Sequence, residues 1–148
     1  LPPAVREVFA GCDHIFHAGD VGAASILDEL EAIAPVTAVL GNCDRSDYGF
    51  SLRPFVSLTL EGIRFFIIHK PFDAEEALRG RGAIAPGQPL PHVCIHGHTH
   101  IPCNEFVGSV RVLCPGSPNR PRGGSAPSVL LLDAEKGELT RIEFVELL

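Results

Sequence analysis

The sequence predicts an α/β fold, and three observations carry that prediction. An apolar strand, an amphipathic helix and a second apolar strand follow one another between residues 13 and 40, the pattern of a βαβ unit. Farther along, apolar runs pair around short glycine-bearing turns, as antiparallel hairpins do. Several of the runs end in a polar cluster of metal-binding type: His17-Ala18-Gly19-Asp20, Gly41-Asn42-Cys43-Asp44, His69, and His96-Gly97-His98-Thr99-His100. In an open α/β sheet the carboxyl ends of the strands lie on one edge, where ligands bind. Folded this way, one Asp, one Asn and several His converge.

Pro2 and Pro3, followed by Val5, Val8 and Phe9, open a first helix over Leu1 to Ala10, because proline suits the first helical turn. A strand at about His14–Ala18 leads to a helix at about Ala23–Ala34 and a strand at about Val36–Leu40. That helix carries Ile26, Leu27, Leu30 and Ile33 on one face and Asp28, Glu29 and Glu31 on the other, and Pro35 stops it. The helical crossover makes the two strands parallel. Phe55–Leu60 and Ile63–Ile68 form a hairpin around Glu61-Gly62. A short polar helix at about Asp73–Arg79, a Gly/Pro-rich stretch from Gly80 to Pro91 and a strand His92–Ile95 lead to the last cluster. Phe106–Cys114 and Ser128–Val145 add two hairpins, turning near Gly108-Ser109 and Lys136-Gly137. There is no internal repeat, and Pro115–Pro127 is the one compositionally biased tract.

With 148 residues and 45% hydrophobic content the chain fits a single domain, residues 1–148, with its own core. A net charge of -6 argues against duplex nucleic acid as a partner, since phosphate neutralisation needs basic surface. Bound metal supplies the positive charge that a small anionic substrate requires. No apolar stretch approaches the roughly 20 residues that span a bilayer. Cys12, Cys43, Cys94, Cys103 and Cys114 are odd in number and include no C-x-x-C, so neither a disulfide framework nor a zinc ribbon is expected. A reducing cytoplasm is the expected setting. The chain holds no Met and begins Leu1-Pro2-Pro3, so a preceding segment is expected.

Gly97-His98-Thr99-His100 is the strongest single motif: two imidazoles two residues apart, just past a strand. Alone, His-x-His is as often a solvated loop as a metal site. Asp20, Asn42 and His69 at comparable strand ends turn the balance toward metal.

The ordered blocks Gly19-Asp20, Gly41-Asn42-Cys43-Asp44, His69 and Gly97-His98-Thr99-His100 resemble those of the calcineurin-like metallophosphoesterases, especially their small bacterial and archaeal phosphodiesterase branch. The resemblance runs over nearly the whole chain. It implies a four-layer α/β/β/α sandwich, two mixed β-sheets packed face to face with helices outside. It also implies that Asp20 bridges two divalent metal ions, that Asn42, His69 and His98 complete one site, and that His100 binds the other. Asp20, Asn42 and His98 are then the catalytic residues. Manganese is the metal the resemblance favours, with Zn, Fe, Ni and Mg as alternatives; imidazole and amide ligands suit Mn, Zn or Fe.

The family's further Asp-x-His block, at the end of a first strand, is lacking here, and the sequence is expected to begin just after it. Asp44 and Cys43 are expected behind the ligands; relatives often carry, at the Cys43 position, a His that protonates the leaving group, for which a thiol is a poorer acid. His17 is expected to support the site through hydrogen bonds. Pro115-Gly116-Ser117 and Arg122 resemble a segment near the site in relatives, so Arg122 is the expected substrate-binding residue, with a plain loop turn as the alternative. Lys70 stands where relatives usually have Gly, and either faces the phosphate or is solvated. His14 and His92 are expected to be structural.

The reaction implied is hydrolysis of a small phosphodiester by a metal-bridging hydroxide, with no protein nucleophile. Two alternatives stay open, a phosphomonoesterase using the same residues and a noncatalytic protein-interaction domain on the same fold. The apolar hairpins are compatible with a homo-oligomer.

Overall fold

The computed structural model describes residues 1–41 and 52–147. Its elements run α1 (Pro3–Phe9), β1 (Ile15–His17), α2 (Ala24–Glu31), β2 (Val36–Ala38), β3 (Phe55–Leu60), β4 (Ile63–Ile68), α3 (Pro71–Leu78), β5 (Val93–Ile95), β6 (Pro102–Val107), β7 (Val110–Pro115), β8 (Ser128–Glu135) and β9 (Glu138–Glu146).

A five-stranded mixed sheet in the order β3-β4-β5-β7-β6 forms the centre. β4, β5 and β7 are parallel neighbours, while β3 and β6 flank them as antiparallel edges. Alternation along β4 serves both faces, which is why it reads as a nearly continuous apolar run. Phe66 and Ile68 pack with Cys94, Val112, Ala74 and Ala77 under α3. Phe65 and Ile67 face the other way, with Val93, Ile95 and Leu113. That second face meets Phe16 of β1 and Leu130, Leu132 and Ile142 of β8 and β9. Hydrogen bonding divides this facing layer into a parallel pair, β1–β2, and an antiparallel pair, β8–β9. Its outer surface presents Ile15 and Val129 to Val5 of α1 and Leu30 of α2. The layers are therefore α1 and α2, the paired strands, the central sheet, and α3, the expected α/β/β/α order.

The hairpin turns follow from local chemistry. Glu61-Gly62 and Lys136-Gly137 both adopt positive φ, 50° and 78° in the first, 51° and 83° in the second. A two-residue turn that matches strand twist needs this, and glycine tolerates it without steric cost. α2 stops at Glu31, short of Ala34, because its last turn tightens: the Ile33 and Ala34 N–H groups both reach the Leu30 carbonyl, at 2.9 and 3.2 Å. β6 begins at Pro102, before the expected Phe106. Its residues are half-buried or exposed on an edge, so they carry no alternation to betray a strand. No helix among the described residues is long and apolar enough to cross a membrane.

Candidate metal centre

The carboxyl end of β1 supplies the first residue. After His17 the chain turns through Gly19, at φ 103°, and Asp20, at φ 55°. Asp is one of the few non-glycine residues that enter the left-handed region readily. His17 Nδ1 accepts the Gly19 N–H at 3.2 Å, so His17 holds the turn that aims Asp20. A Cβ on Gly19 would stand 2.6 Å from His69 Nδ1, and one on Gly41 would fall on the backbone nitrogen and Oδ1 of Asp20. Both glycines are needed because three chain segments meet here without room for a methyl group.

β4 ends in His69, which is buried. Its Nδ1 lies 2.7 Å from the Ala18 carbonyl oxygen. A carbonyl only accepts, so Nδ1 carries a proton, and in the neutral form of the ring the lone pair lies on Nε2. That nitrogen faces Asp20 Oδ2 at 3.2 Å. β5 contributes His98, whose ring meets that of His69 edge-on, with centroids 5.2 Å apart. The Gly97 N–H donates to the His69 carbonyl at 2.9 Å and ties the two strand ends together. Ligand-type atoms of Asp20, His69 and His98 all lie within 4.8 Å of one another, the only such group among the described residues.

This donor set fits a divalent cation. With metal–ligand bonds of about 2.0–2.2 Å, neighbouring donors in a tetrahedral or octahedral shell sit about 3.0–3.4 Å apart. The Asp20–His69 separation of 3.2 Å falls in that interval. A lone pair on neutral imidazole pointing at an anionic carboxylate is unfavourable unless a proton or cation lies between them. His98 is held below the ordinary imidazole value, first by desolvation, then by the neighbouring His69, Lys70 and Arg122, with Asp20 opposing. A neutral ring is the form that ligates metal.

His100 stands outside the group of three but is prepared in the same way as His69. Its Nδ1 donates to the Arg120 carbonyl at 2.7 Å, which leaves Nε2 as the lone-pair nitrogen. Both His98 and His100 are left-handed, at φ 68° and 60°. Arg122 is exposed; its backbone N–H donates to the His100 carbonyl at 3.3 Å, and its guanidinium is near enough to act on His98. The Arg122 loop is closed on itself, with the Arg120 N–H donating to Ser117 Oγ at 3.0 Å. Lys70 is exposed at the start of α3. Asn42, Cys43 and Asp44 lie outside the described residues.

His14 and His92 have the structural roles expected of them. His14 Nε2 pairs with Thr37 Oγ1 at 2.7 Å across β1 and β2, and His92 Nδ1 accepts the Arg64 N–H at 2.9 Å. The residues that sequence reading missed act through their backbones: the Ala18 and Arg120 carbonyls orient the two imidazoles, yet every residue carries a carbonyl.

The Calcineurin-like phosphoesterase superfamily domain matches residues 1–137. A probable metallophosphoesterase of Methanothermobacter thermautotrophicus is 38% identical over 141 residues, covering 92% of this chain and 78% of its own. Phosphodiesterase YfcE of Escherichia coli is 32% identical over 116 residues, covering 74% of this chain and 59% of its own length. An archaeal phosphodiesterase structure superposes with a TM-score of 0.74 at 26% identity, covering 97% of this chain and 92% of that one. Zinc-complexed Vps29 of Entamoeba histolytica, at 16% identity and TM-score 0.74 over 98% of this chain and 88% of its own, shares the fold. By the extent of that domain match and by these identities, the chain belongs to the calcineurin-like phosphoesterase superfamily.

Proposed function

We propose that the chain is a metal-dependent phosphodiesterase that holds two divalent cations, manganese foremost, at the carboxyl edge of β1, β4 and β5. The observation that carries this reading is the convergence of Asp20, His69 and His98, with His69 Nδ1 fixed by the Ala18 carbonyl and Nε2 turned to Asp20. In this reading Asp20 would be shared by the cations, Asn42, His69 and His98 would hold one, and His100 would contribute to the other. Bound metal of this kind activates water and neutralises the charge that develops on a phosphoryl group. The protein's own part is to fix the donors. The Ala18 and Arg120 carbonyls keep His69 and His100 in the Nδ1-protonated tautomer, His17 braces the Asp20 turn, and Arg122 attracts the anionic substrate.

A phosphodiester is favoured by the phosphodiesterase names of relatives at 32% and 26% identity. The test is turnover of bis(p-nitrophenyl) phosphate against p-nitrophenyl phosphate, together with manganese bound per chain. Faster diester hydrolysis with close to two manganese ions supports the reading. Faster monoester hydrolysis overturns the substrate class, and no bound metal overturns the centre.

A further inference from the structure

We propose that Cys103 and Cys114 are a thiol pair that closes into a cross-strand disulfide under oxidation and thereby detaches Cys114 from the loop bearing His98 and His100. The site is built into the β6–β7 ladder, where Cys103 stands directly opposite Cys114. Val107 and Val110 close the two-residue turn. In such hairpins the closing pair is hydrogen-bonded, and pairs alternate from there. Cys103 and Cys114 are therefore also a hydrogen-bonded pair, with Cα atoms about 5.5 Å apart. Disulfides most often span about 5.5–6 Å between Cα atoms, which this pair meets. The Cβ atoms of a hydrogen-bonded pair stand wider than the roughly 3.5–4.5 Å an S–S bond spans, so closure draws the two strands together and yields a strained, readily reduced bond.

Cys114 belongs to the strand between β5 and β6, and in the reduced protein its sulfur contacts the loop that joins those two strands. Sγ lies 3.7 Å from Thr99 Oγ1 and 4.0 Å from the Gly97 carbonyl oxygen. An S–S bond of about 2.0 Å to Cys103 removes the thiol proton, and with it the donation to the Gly97 carbonyl, and pulls the sulfur toward Cys103.

The loop it would leave is under strain. His98 and His100 both occupy left-handed backbone, at φ 68° and 60°, a strained conformation that persists only where surroundings enforce it. Thr99 sits between them. Its hydroxyl accepts the Ile101 N–H at 3.3 Å and touches Cys114, and its own N–H donates to Gly97 at 2.8 Å. Cys114 is thus a positioning residue for two histidines, acting through Thr99.

The chemistry needs an oxidant, and a low-molecular-weight disulfide such as oxidised glutathione suffices. Cys103, on the edge strand and partly exposed, is the entry thiol, whereas Cys114 is buried. The Cys103 thiolate attacks the glutathione disulfide, forming a mixed disulfide and releasing one glutathione thiol. Cys114 then loses its proton and attacks the Cys103 sulfur, releasing the second. Two protein thiols and one glutathione disulfide give one protein disulfide and two glutathione thiols, with two electrons passing to glutathione. Burial raises the Cys103, Cys114 and Cys94 thiols alike, and Cys94 furthest, to about 12, so Cys94 competes least.

The experiment treats the full chain with oxidised glutathione, maps disulfides by mass spectrometry, and follows the imidazole NMR signals of His98 and His100 without metal. The expected result is a Cys103–Cys114 linked peptide, shifted signals from both histidines, and reversal of both by dithiothreitol. Its functional consequence rests on the metal-centre reading: manganese binding becomes about 10-fold weaker on oxidation, the scale of an outer-shell loss. Cys103→Ser should bind manganese as the reduced chain does and lose the response. Absence of the linked peptide, or a disulfide that leaves both imidazole signals in place, overturns the proposal. So does a response that survives Cys103→Ser, which would belong to another thiol. Failure of the reduced chain to bind manganese defeats the metal-centre reading instead, and the metal-free imidazole signals still decide the disulfide.

Discussion

His69 Nε2 and Asp20 Oδ2 face each other across 3.2 Å, although 48 residues separate them along the chain. The pair is held from behind, by the Ala18 carbonyl on His69 Nδ1 and by His17 on the turn before Asp20. Oriented ligands with committed tautomers lose little freedom on taking a cation, which is the physical advantage of such outer contacts.

Asp20→Asn isolates the charge of this pair. Asn tolerates left-handed backbone as well as Asp does, so the φ of 55° adds no new strain. Diester turnover should fall by about 100-fold or more, since loss of an outer partner alone costs about 10–100-fold. Bound metal should fall while the urea midpoint of the metal-free protein changes little. Unchanged turnover would remove Asp20 from the centre.

Gly19→Ala should break the site by crowding rather than by charge. The added methyl stands 2.6 Å from His69 Nδ1 and is forced onto a backbone at φ 103°. A loss of about 1–3 kcal/mol in unfolding free energy is expected, with weakened metal binding. A variant as stable as the parent would show that the turn relaxes freely.

Arg122→Ala tests the exposed guanidinium. An exposed charge is worth about 0.2–1 kcal/mol, so KM for the diester should rise by up to about 5-fold with kcat and metal content nearly unchanged. A fall in kcat alone would instead place Arg122 on the reacting group.

The pH dependence of the metal-free protein has a definite sign. His14, His96 and His98 are all held below the ordinary imidazole value, desolvation being the largest cause for each. The native state therefore prefers them neutral, and the unfolded chain binds more protons once pH falls below about 6.5. Stability is fully present above that value and declines toward pH 5, before most carboxylates titrate. Urea midpoints at pH 8 and pH 5 in the presence of chelator check this; an equal or higher midpoint at pH 5 would contradict it.

Local pattern made much of the fold legible. The apolar face of α2 and the glycine turns at residues 62 and 137 are short-range physics, and the structure has them where the pattern puts them, although α2 ends at Glu31, before Pro35 could stop it. The start of β6 was hidden because Pro102, Cys103, Asn104 and Glu105 lie on an edge with little burial to impose alternation. The division of the outer strand layer into two ladders was equally invisible, since strand composition does not record which neighbour a strand takes.

For the site, the sequence by itself determined the donors: an Asp, an Asn and several His, each just past an apolar run, in an order specific enough to mark the family. Which of them meet was a tertiary matter. Asp20 comes from one layer and His69 and His98 from the next, so their approach depends on β1 stacking over the β4–β5 edge and on Gly19 and Gly41 leaving no side chain between. The carbonyls of Ala18 and Arg120, which fix the tautomers, carry no residue-type signal at all. Side-chain chemistry is written in the sequence, whereas distances between strand ends, and the backbone atoms that orient a ring, exist only once the layers have packed.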